Sequence, residues 1–174
     1  MDFTQNYFQL LSIPQQYTVD NTLLSDCYRQ LQKQFHPDKF ASKPANEQRL
    51  AVQFAAYINT AYQTLQSSIL RAEYLLLLAD EEVNHQSTTI SDGQFLMLQM
   101  QWRESLADIV ALEDLSMAED QLDRLGVVVK QEVIDLELSF EQQYSAQDMA
   151  EAKKTVAKLH FVTKMLSEID SAYS

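Results

Sequence analysis

A histidine, a proline and an aspartate stand side by side at His36, Pro37 and Asp38. His36 can donate or accept a hydrogen bond, Asp38 presents an anion, and Pro37 fixes the backbone φ between them. Three kinds of chemistry use these residue types: a catalytic acid–base pair, a metal-binding pair, or a rigid polar turn that another protein recognises.

The first two interpretations need further residues, and the sequence does not group them with this triplet. Acid–base catalysis needs a pocket and a reacting group held against the pair, yet two glycines in the whole chain cannot form a phosphate loop. The other histidines, His85 and His160, lie at no metal-binding spacing, and Cys27 is the only cysteine. The third interpretation uses all three residues. Because such a turn is preorganised, it loses little entropy when a partner binds it. A small helical hydrolase that uses His36 and Asp38 remains the alternative.

Basic residues gather on both sides of the triplet. Arg29 and Lys33 are four residues apart on one side of the preceding helix, and Lys39 and Lys43 follow the triplet. Such a strip could be an ordinary solvated helix face. Beside a rigid polar turn, it favours a docking surface for an acidic partner.

The helices that position the triplet are indicated by apolar residues three or four positions apart. Asp20 is typical of a helix N-cap, and the loop after the triplet runs through Pro44 to a helix that begins near Asn46. The apolar stripes are Leu24, Tyr28, Leu31 and Phe35 before the loop, and Leu50, Phe54, Ile58, Ala61 and Leu65 after it. Two such helices predict a helical hairpin, preceded by a short helix at 6–11.

Charge and composition change near residue 80. Residues 1–80 carry six Lys/Arg and seven Asp/Glu, whereas residues 81–174 carry seven and eighteen, and the whole chain has a net charge of −12. We therefore predict a domain at 1–80, a linker at 81–92 and a second domain at 93–174. The acidic balance argues against nucleic-acid binding, which needs a basic footprint.

The second domain is predicted to be an antiparallel bundle of three helices, so the fold class is all-α. The first helix runs from about Gly93 to Leu115. Ser116 with Glu119 suggests a capping box for the second, and Ser145 with Asp148 repeats this pattern for the third. The predicted core stripes are Phe95, Leu98, Trp102, Leu106, Ile109 and Val110; Leu122, Leu125, Val129, Val133, Leu136 and Phe140; and Ala152, Val156, Leu159, Val162, Leu166 and Ile169.

A second apolar group lies on the opposite side of the first bundle helix. On a helical wheel of about 100° per residue, Leu96, Met97 and Met100 face away from Phe95. Glu104 and Asp108 continue that side as an acidic rim, and Phe161 and Met165 of the last helix could complete it. Such a patch suggests a binding site. A helix buried on two sides, or methionines that fill gaps, would explain it equally well.

Several segments together resemble a known family. The pairs Tyr7-Phe8 and Leu10-Leu11, the segment "FHPDKF" and the segment "INTAYQTL" resemble the J domain, the DnaJ-like module that docks on DnaK-class chaperones. With "LRAEYLL" and "FLMLQMQWRE", essentially the whole chain resembles the HscB family of J-type co-chaperones of iron–sulfur cluster assembly. The chain lacks the Gly/Phe-rich stretch and zinc-binding cysteines of general DnaJ proteins, which favours a bacterial-type, metal-free member.

The resemblance implies a division of labour between two partners. The J domain would stimulate ATP hydrolysis by a DnaK-class chaperone of the HscA type, and the bundle would carry the IscU-type cluster scaffold to it. The chain itself would then be neither an enzyme nor a cofactor protein. The resemblance assigns chaperone binding to His36, Pro37, Asp38, Arg29, Lys33 and Lys39, and scaffold binding to Leu96, Met97, Met100, Glu104, Asp108 and Phe161.

Two positions depart from the family pattern. Gln101 stands where the family commonly has glutamate, and Asp108 is shorter than the usual glutamate. The departures weaken the charged part of the expected scaffold contact and leave its apolar part unchanged. A J protein that serves a different client remains an alternative, and only the patch on the bundle separates the two.

The sequence also predicts a soluble cytoplasmic protein. Its N-terminus begins with an acidic residue and lacks the charged-then-apolar pattern of a signal peptide. The longest strictly apolar run, residues 75–79, is far too short to cross a bilayer.

Overall fold

The computed structural model describes residues 1–81 and 92–173 and confirms the all-α prediction for them. The chain divides into two compact units, Met1–Asp80 and Glu81–Ser174. Most of the predicted linker at 81–92 lies outside the described residues. The elements are α1 (Tyr7–Leu10), α2 (Asn21–Phe35), a 3-10 helix (Pro37–Phe40), α3 (Ala45–Gln66), α4 (Ser68–Leu78), α5 (Gly93–Val110), α6 (Leu115–Ser145) and α7 (Met149–Ser171).

The first unit is built on the predicted antiparallel hairpin of α2 and α3. Asp20 caps α2, because its carboxylate accepts from the backbone N–H groups of Thr22 and Leu23. Two aromatic contacts join the helices along their length. The rings of Tyr28 and Tyr62 stack at 4.0 Å, and those of Phe35 and Phe54 meet edge to face at 4.7 Å. Such contacts contribute about 0.5–1.5 kcal/mol each beyond the burial of apolar area.

Helices α1 and α4 close the first unit around Tyr74. The ring of Tyr74 stacks on that of Tyr7 at 4.3 Å, and its hydroxyl accepts from the Tyr7 backbone N–H at 3.0 Å. Burial raises the pKa of Tyr74. Arg71 lies buried in the same unit, where it donates to the carbonyl of Leu65 at 2.6 Å and its guanidinium lies 5.1 Å from the ring centroid of Tyr17. These contacts fix α4 to the hairpin.

The predicted core stripe of α3 is wrong at its first position. Leu50 is 43% exposed, and Ala51 is buried in its place. Two successive steps of four residues, from Leu50 through Phe54 to Ile58, turn the face by about 80°. Ala51 lies about 20° from the direction of Ile58, so Ala51 faces α2 and Leu50 faces solvent.

The second unit is the predicted antiparallel three-helix bundle. Helices α6 and α7 run antiparallel. Thr155 near the start of α7 bonds to Gln143 near the end of α6, and Tyr173 just after α7 bonds to Asp123 near the start of α6. Its buried side chains are Phe95, Trp102, Ile109, Leu122, Leu125, Val129, Leu136, Phe140, Ala152, Thr155, Val156, Leu159, Val162, Met165 and Ile169. Among helices in the described ranges, none combines the length and apolar character that crossing a lipid bilayer requires.

Three boundary predictions in the bundle are wrong. Helix α5 ends at Val110 rather than Leu115, and Val110 is exposed because it is the last residue of the helix. Asp114 rather than Ser116 caps α6, since its carboxylate accepts from Met117 N–H at 3.1 Å. Ser145 is the last residue of α6, and only Asp148 caps α7. At the starts of both α6 and α7 the cap is an aspartate rather than the predicted serine.

Candidate partner-binding sites

The triplet forms a tight turn between α2 and α3. His36 ends α2 with φ −58° and ψ 130°, because a residue that precedes proline is pushed out of the helical region. Pro37 begins the 3-10 helix, and the Lys39 N–H donates to the His36 carbonyl at 3.0 Å. The proline and this bond together give the turn a fixed shape.

The polar groups of the turn are exposed to solvent. The backbone N–H of Asp38 donates to His36 Nδ1 at 3.3 Å, and Nδ1 lies 3.5 Å from Asp38 Oδ2. Both side chains are more than half exposed. Within 1–81 and 92–173, no three His, Cys, Asp or Glu side chains come together in a way that could hold a metal ion. An exposed, preorganised pair suits recognition by another protein surface.

Three predicted basic residues line an open groove together with two members of the triplet, His36 and Asp38. The groove has a volume of about 620 Å³, and its lining comprises Arg29, Gln32, Lys33, His36, Asp38 and Lys39. Lys43 does not belong to this lining. Within residues 1–81 and 92–173, Arg29 forms an ion pair only with exposed Asp26, at 3.5 Å. Exposed ion pairs of this kind contribute little to stability. The charge of Arg29 therefore remains available to a partner.

Two glutamines that the sequence did not single out hold the turn and its groove. Gln32 donates to the hydroxyl of Tyr28 at 2.6 Å and to the side-chain oxygen of Asn59 at 2.9 Å. Gln48 donates to the carbonyls of Ala41 at 3.1 Å and Lys43 at 2.8 Å. The spacing of Gln32 between Arg29 and the triplet could have indicated its place, whereas nothing in the sequence indicates the bonds of Gln48.

The structure leaves the second apolar group on the outside of α5. Leu96, Met97 and Met100 are 41%, 64% and 71% exposed, and Glu104 and Asp108 are exposed farther along the helix. Phe95, Trp102 and Ile109 already anchor α5 in the core. We call Leu96, Met97, Met100 and Phe161 the apolar patch. Its three α5 members lie outside the buried core of the bundle.

Phe161 joins the patch from α7, but Met165 does not. Phe161 is half-buried, with its ring 6.0 Å from the centroid of Phe95 in an edge-to-face contact. The guanidinium of Arg103, which sequence reasoning missed, lies 5.3 Å from the Phe161 centroid. Met165 is 1% exposed, which contradicts its predicted place in the patch. It belongs to the buried face of α7, as do Val162 and Ile169.

A groove of about 440 Å³ with both charged and apolar walls shares Met97 with the patch. Its lining comprises Asp92, Gln94, Phe95, Met97, Leu98, Gln101, Glu132 and Lys158, and we call it the Glu132 groove. The ammonium of Lys158 lies 2.6 Å from Asp92 Oδ2 and 5.2 Å from the Phe95 centroid.

The two acids of the Glu132 groove differ in their environments. The hydrogen bond from Lys158, and then that from the Phe95 N–H, hold the pKa of Asp92 below its usual value. Partial burial, reinforced by the negative charge of Asp135, raises the pKa of Glu132.

Comparison with known protein families matches both units of the chain. A family model described as "HSCB C-terminal oligomerisation domain" matches residues 91–170, and one described as "DnaJ domain" matches residues 6–74. A protein of Shewanella pealeana named "Co-chaperone protein HscB homolog" is 43% identical over 94% of both chains. Proteins of the same name from Psychromonas ingrahamii and Vibrio atlanticus are 40% and 41% identical over 94% and 95% of both chains.

Solved structures agree with these matches. The chaperone HscB from Vibrio cholerae superposes with a TM-score of 0.85 at 37% identity over 96% of both chains. The human co-chaperone HscB superposes with a TM-score of 0.88 at 27% identity, over 98% of this chain and 83% of the human one. The His-Pro-Asp turn on its helical hairpin, the three-helix bundle and the full-length similarity thus agree: the chain belongs to the HscB family of J-type co-chaperones of iron–sulfur cluster assembly.

Proposed function

We propose that this protein stimulates the ATPase of an HscA-type chaperone through its first unit and brings it an IscU-type cluster scaffold bound to its second. The observation that carries the proposal is the pairing of an exposed His36-Pro37-Asp38 turn with an exposed apolar patch that the bundle core does not need. The protein is then an adaptor and an activator. It supplies no catalytic group of its own.

The chaperone contact combines shape and charge. Arg29, Lys33 and Lys39 line the groove beside the turn and would meet acidic groups of the DnaK-class partner, which speeds encounter and fixes orientation. His36 and Asp38 would make the contacts that distinguish the hydrolysis-competent state. The co-chaperone shifts the chaperone towards that state by binding it more tightly than the others.

The scaffold contact is assigned to the apolar patch and its acidic rim. Full burial of a Leu or Met side chain contributes roughly 1.5–3 kcal/mol, and Leu96, Met97 and Met100 have much of that surface still exposed. Glu104 and Asp108 would select a basic surface around the apolar contact. A cytoplasmic location without nucleic-acid binding belongs to the same proposal, since a net charge of −12 disfavours contact with phosphates.

The experiment measures steady-state ATP hydrolysis by a purified HscA-type chaperone with and without an IscU-type scaffold. Wild-type protein should stimulate hydrolysis, and His36→Gln should abolish stimulation with unchanged helicity. Unchanged stimulation by this variant would contradict the docking role of the turn. A J protein for a different client would stimulate the chaperone but would not bind the scaffold, so a binding measurement separates the two candidates.

A further inference from the structure

Glu132 presents a half-buried carboxylate to the groove that adjoins the apolar patch. It belongs to α6, whereas most of the groove lining comes from α5. Within residues 1–81 and 92–173, the Glu132 carboxylate makes no hydrogen bond or ion pair. The nearby cation, Lys158, is engaged by Asp92 at 2.6 Å. The groove therefore contains one more negative charge than the bundle neutralises.

This arrangement is unfavourable for the isolated bundle. Partial loss of hydration raises the pKa of Glu132, and the charges of Asp135 and Asp92 raise it further, while Lys158 opposes them. The folded state thus destabilises the ionised form that prevails at neutral pH. Perturbed pKa values of this kind are common at ligand-binding sites. A bound cation would stabilise the ionised form of Glu132.

The walls of the groove suit a long basic side chain. Phe95, Met97 and Leu98 provide apolar surface along one side, and Gln94 and Gln101 contribute amide oxygens that can accept hydrogen bonds. Lysine and arginine pack their aliphatic stems on such surface and keep the charged end at a polar group. Met97 belongs to both the groove and the patch, so a polypeptide lying on the patch would pass the groove mouth.

We propose that the Glu132 groove receives a lysine or arginine side chain of the scaffold protein and that Glu132 is its ion-pair partner. The inference rests on the proposed function, because it takes the scaffold to be the protein that covers the patch. Recognition of positive charge on the scaffold would then involve Glu132 on α6 as well as Glu104 and Asp108 on α5. Gln101, which lacks the charge common in the family at its position, lies in this same groove.

The test compares Glu132→Gln with Asp135→Asn. Both variants remove one negative charge from α6, but Asp135 does not line the groove and instead accepts from Gln131 at 2.9 Å. The dissociation constant of full-length protein for a purified IscU-type scaffold is measured by calorimetry at low and physiological ionic strength. Glu132→Gln should weaken binding by roughly five- to tenfold and reduce its salt dependence. Asp135→Asn should remain within about twofold of wild type.

Two further measurements separate the possible failures. Thermal melting tests whether Glu132→Gln folds, and this variant should melt at or above the wild-type temperature, so weaker binding cannot result from unfolding. If Leu96→Ala weakens binding while Glu132→Gln binds like wild type, the groove inference is overturned and the proposed function stands. If wild-type protein does not bind the scaffold, the proposed function fails and the groove inference fails with it.

Discussion

Lys158 on α7 holds Asp92 at the start of α5 through an ion pair of 2.6 Å. Asp92 is also the N-cap of α5, since the same carboxylate accepts from the N–H groups of Gln94 and Phe95. One side chain therefore begins the helix that carries the apolar patch and ties its first turn to α7. On the same helix turn, the ring of Phe95 meets that of Phe161 at 6.0 Å, although more than sixty residues separate the two in the sequence.

Replacing Asp92 with asparagine should destabilise the protein in a pH-dependent way. Asparagine keeps an oxygen that can cap α5 but loses the ion pair with Lys158. The folded-state pKa of Asp92 is below its usual value of 3.8, so its stabilisation is fully present above that value and is lost as pH falls through the lowered pKa. Chemical unfolding should show a less stable Asp92→Asn variant at pH 7 and a smaller difference at low pH.

A matched control for this pair is Lys154→Met. Lys154 forms an exposed ion pair with Glu151 within α7, and such pairs contribute little to stability. Lys154→Met should therefore unfold close to wild type, whereas Lys158→Met should resemble Asp92→Asn. An equal loss of stability at both pH values for Asp92→Asn would contradict this account, because the loss would then not depend on the charge of Asp92.

Replacing Glu132 with glutamine should have the opposite effect on stability. Burial raises the folded-state pKa of Glu132 above its usual value of 4.5, so the folded protein binds this proton more tightly than the unfolded chain does. Stability then falls as pH rises from 4.5 through the raised pKa, and the full destabilisation persists at pH 7. Glu132→Gln should raise the melting temperature at pH 7, and this gain should vanish below pH 4.5. A lower melting temperature at pH 7 would contradict this account.

The local features of both sites could be predicted from the sequence. The His36-Pro37-Asp38 turn is written in consecutive residues, and the start of α2 at Asp20 follows from capping chemistry. The exposure of Leu96, Met97 and Met100 followed from helix periodicity, because Phe95 and Trp102 fix which side of α5 is buried. The error at Leu50 also concerns helix periodicity, because two successive steps of four residues turn the stripe by about 80° and leave Ala51 on the buried side.

Contacts between helices could not be predicted in the same way. Nothing local to Lys158 indicates that it meets Asp92, or that Arg103 covers Phe161. Burial of Met165 likewise depends on how α7 packs, since it lies only four residues from half-exposed Phe161. Glu132 looked like one of many charges on an acidic helix, and only the groove beside it makes it distinctive.

Shortening Gln48 should weaken the chaperone contact without unfolding the first unit. Its amide donates to the carbonyls of Ala41 and Lys43 and so ties the loop after the turn to α3. Gln48→Ala should leave the melting temperature nearly unchanged, because these bonds are exposed, but should raise by a few-fold the concentration that gives half-maximal ATPase stimulation. Gln53→Ala, an exposed glutamine farther along α3, is the control and should stimulate like wild type. Equal effects of both variants would exclude a positioning role.

Removing a cation from the groove beside the His36-Pro37-Asp38 turn should weaken chaperone binding and also reduce its salt dependence. Lys33 lines the groove beside His36, whereas Arg49 is also exposed, on α3, but lies outside the lining. Chaperone affinity should fall for Lys33→Ala and become less sensitive to added salt, because exposed charges act through a screened field. Arg49→Ala should retain the wild-type salt dependence. If the two variants lose affinity equally, overall charge rather than the groove controls docking.

Truncating the apolar patch should separate scaffold binding from folding. Met97 and Met100 are exposed, so changing both to alanine should leave the free energy of unfolding within about 0.5 kcal/mol of wild type. Phe95→Ala on the same helix removes a buried ring and should cost about 3–5 kcal/mol. Scaffold affinity should fall at least tenfold for the double variant, since a few well-packed residues at the centre of an interface carry most of its binding energy. Its chaperone stimulation without scaffold should stay at the wild-type level, because the patch and the His36 turn belong to different units. Loss of both activities in a stably folded double variant would mean that the second unit takes part in chaperone docking, and the proposed division of labour would then be wrong.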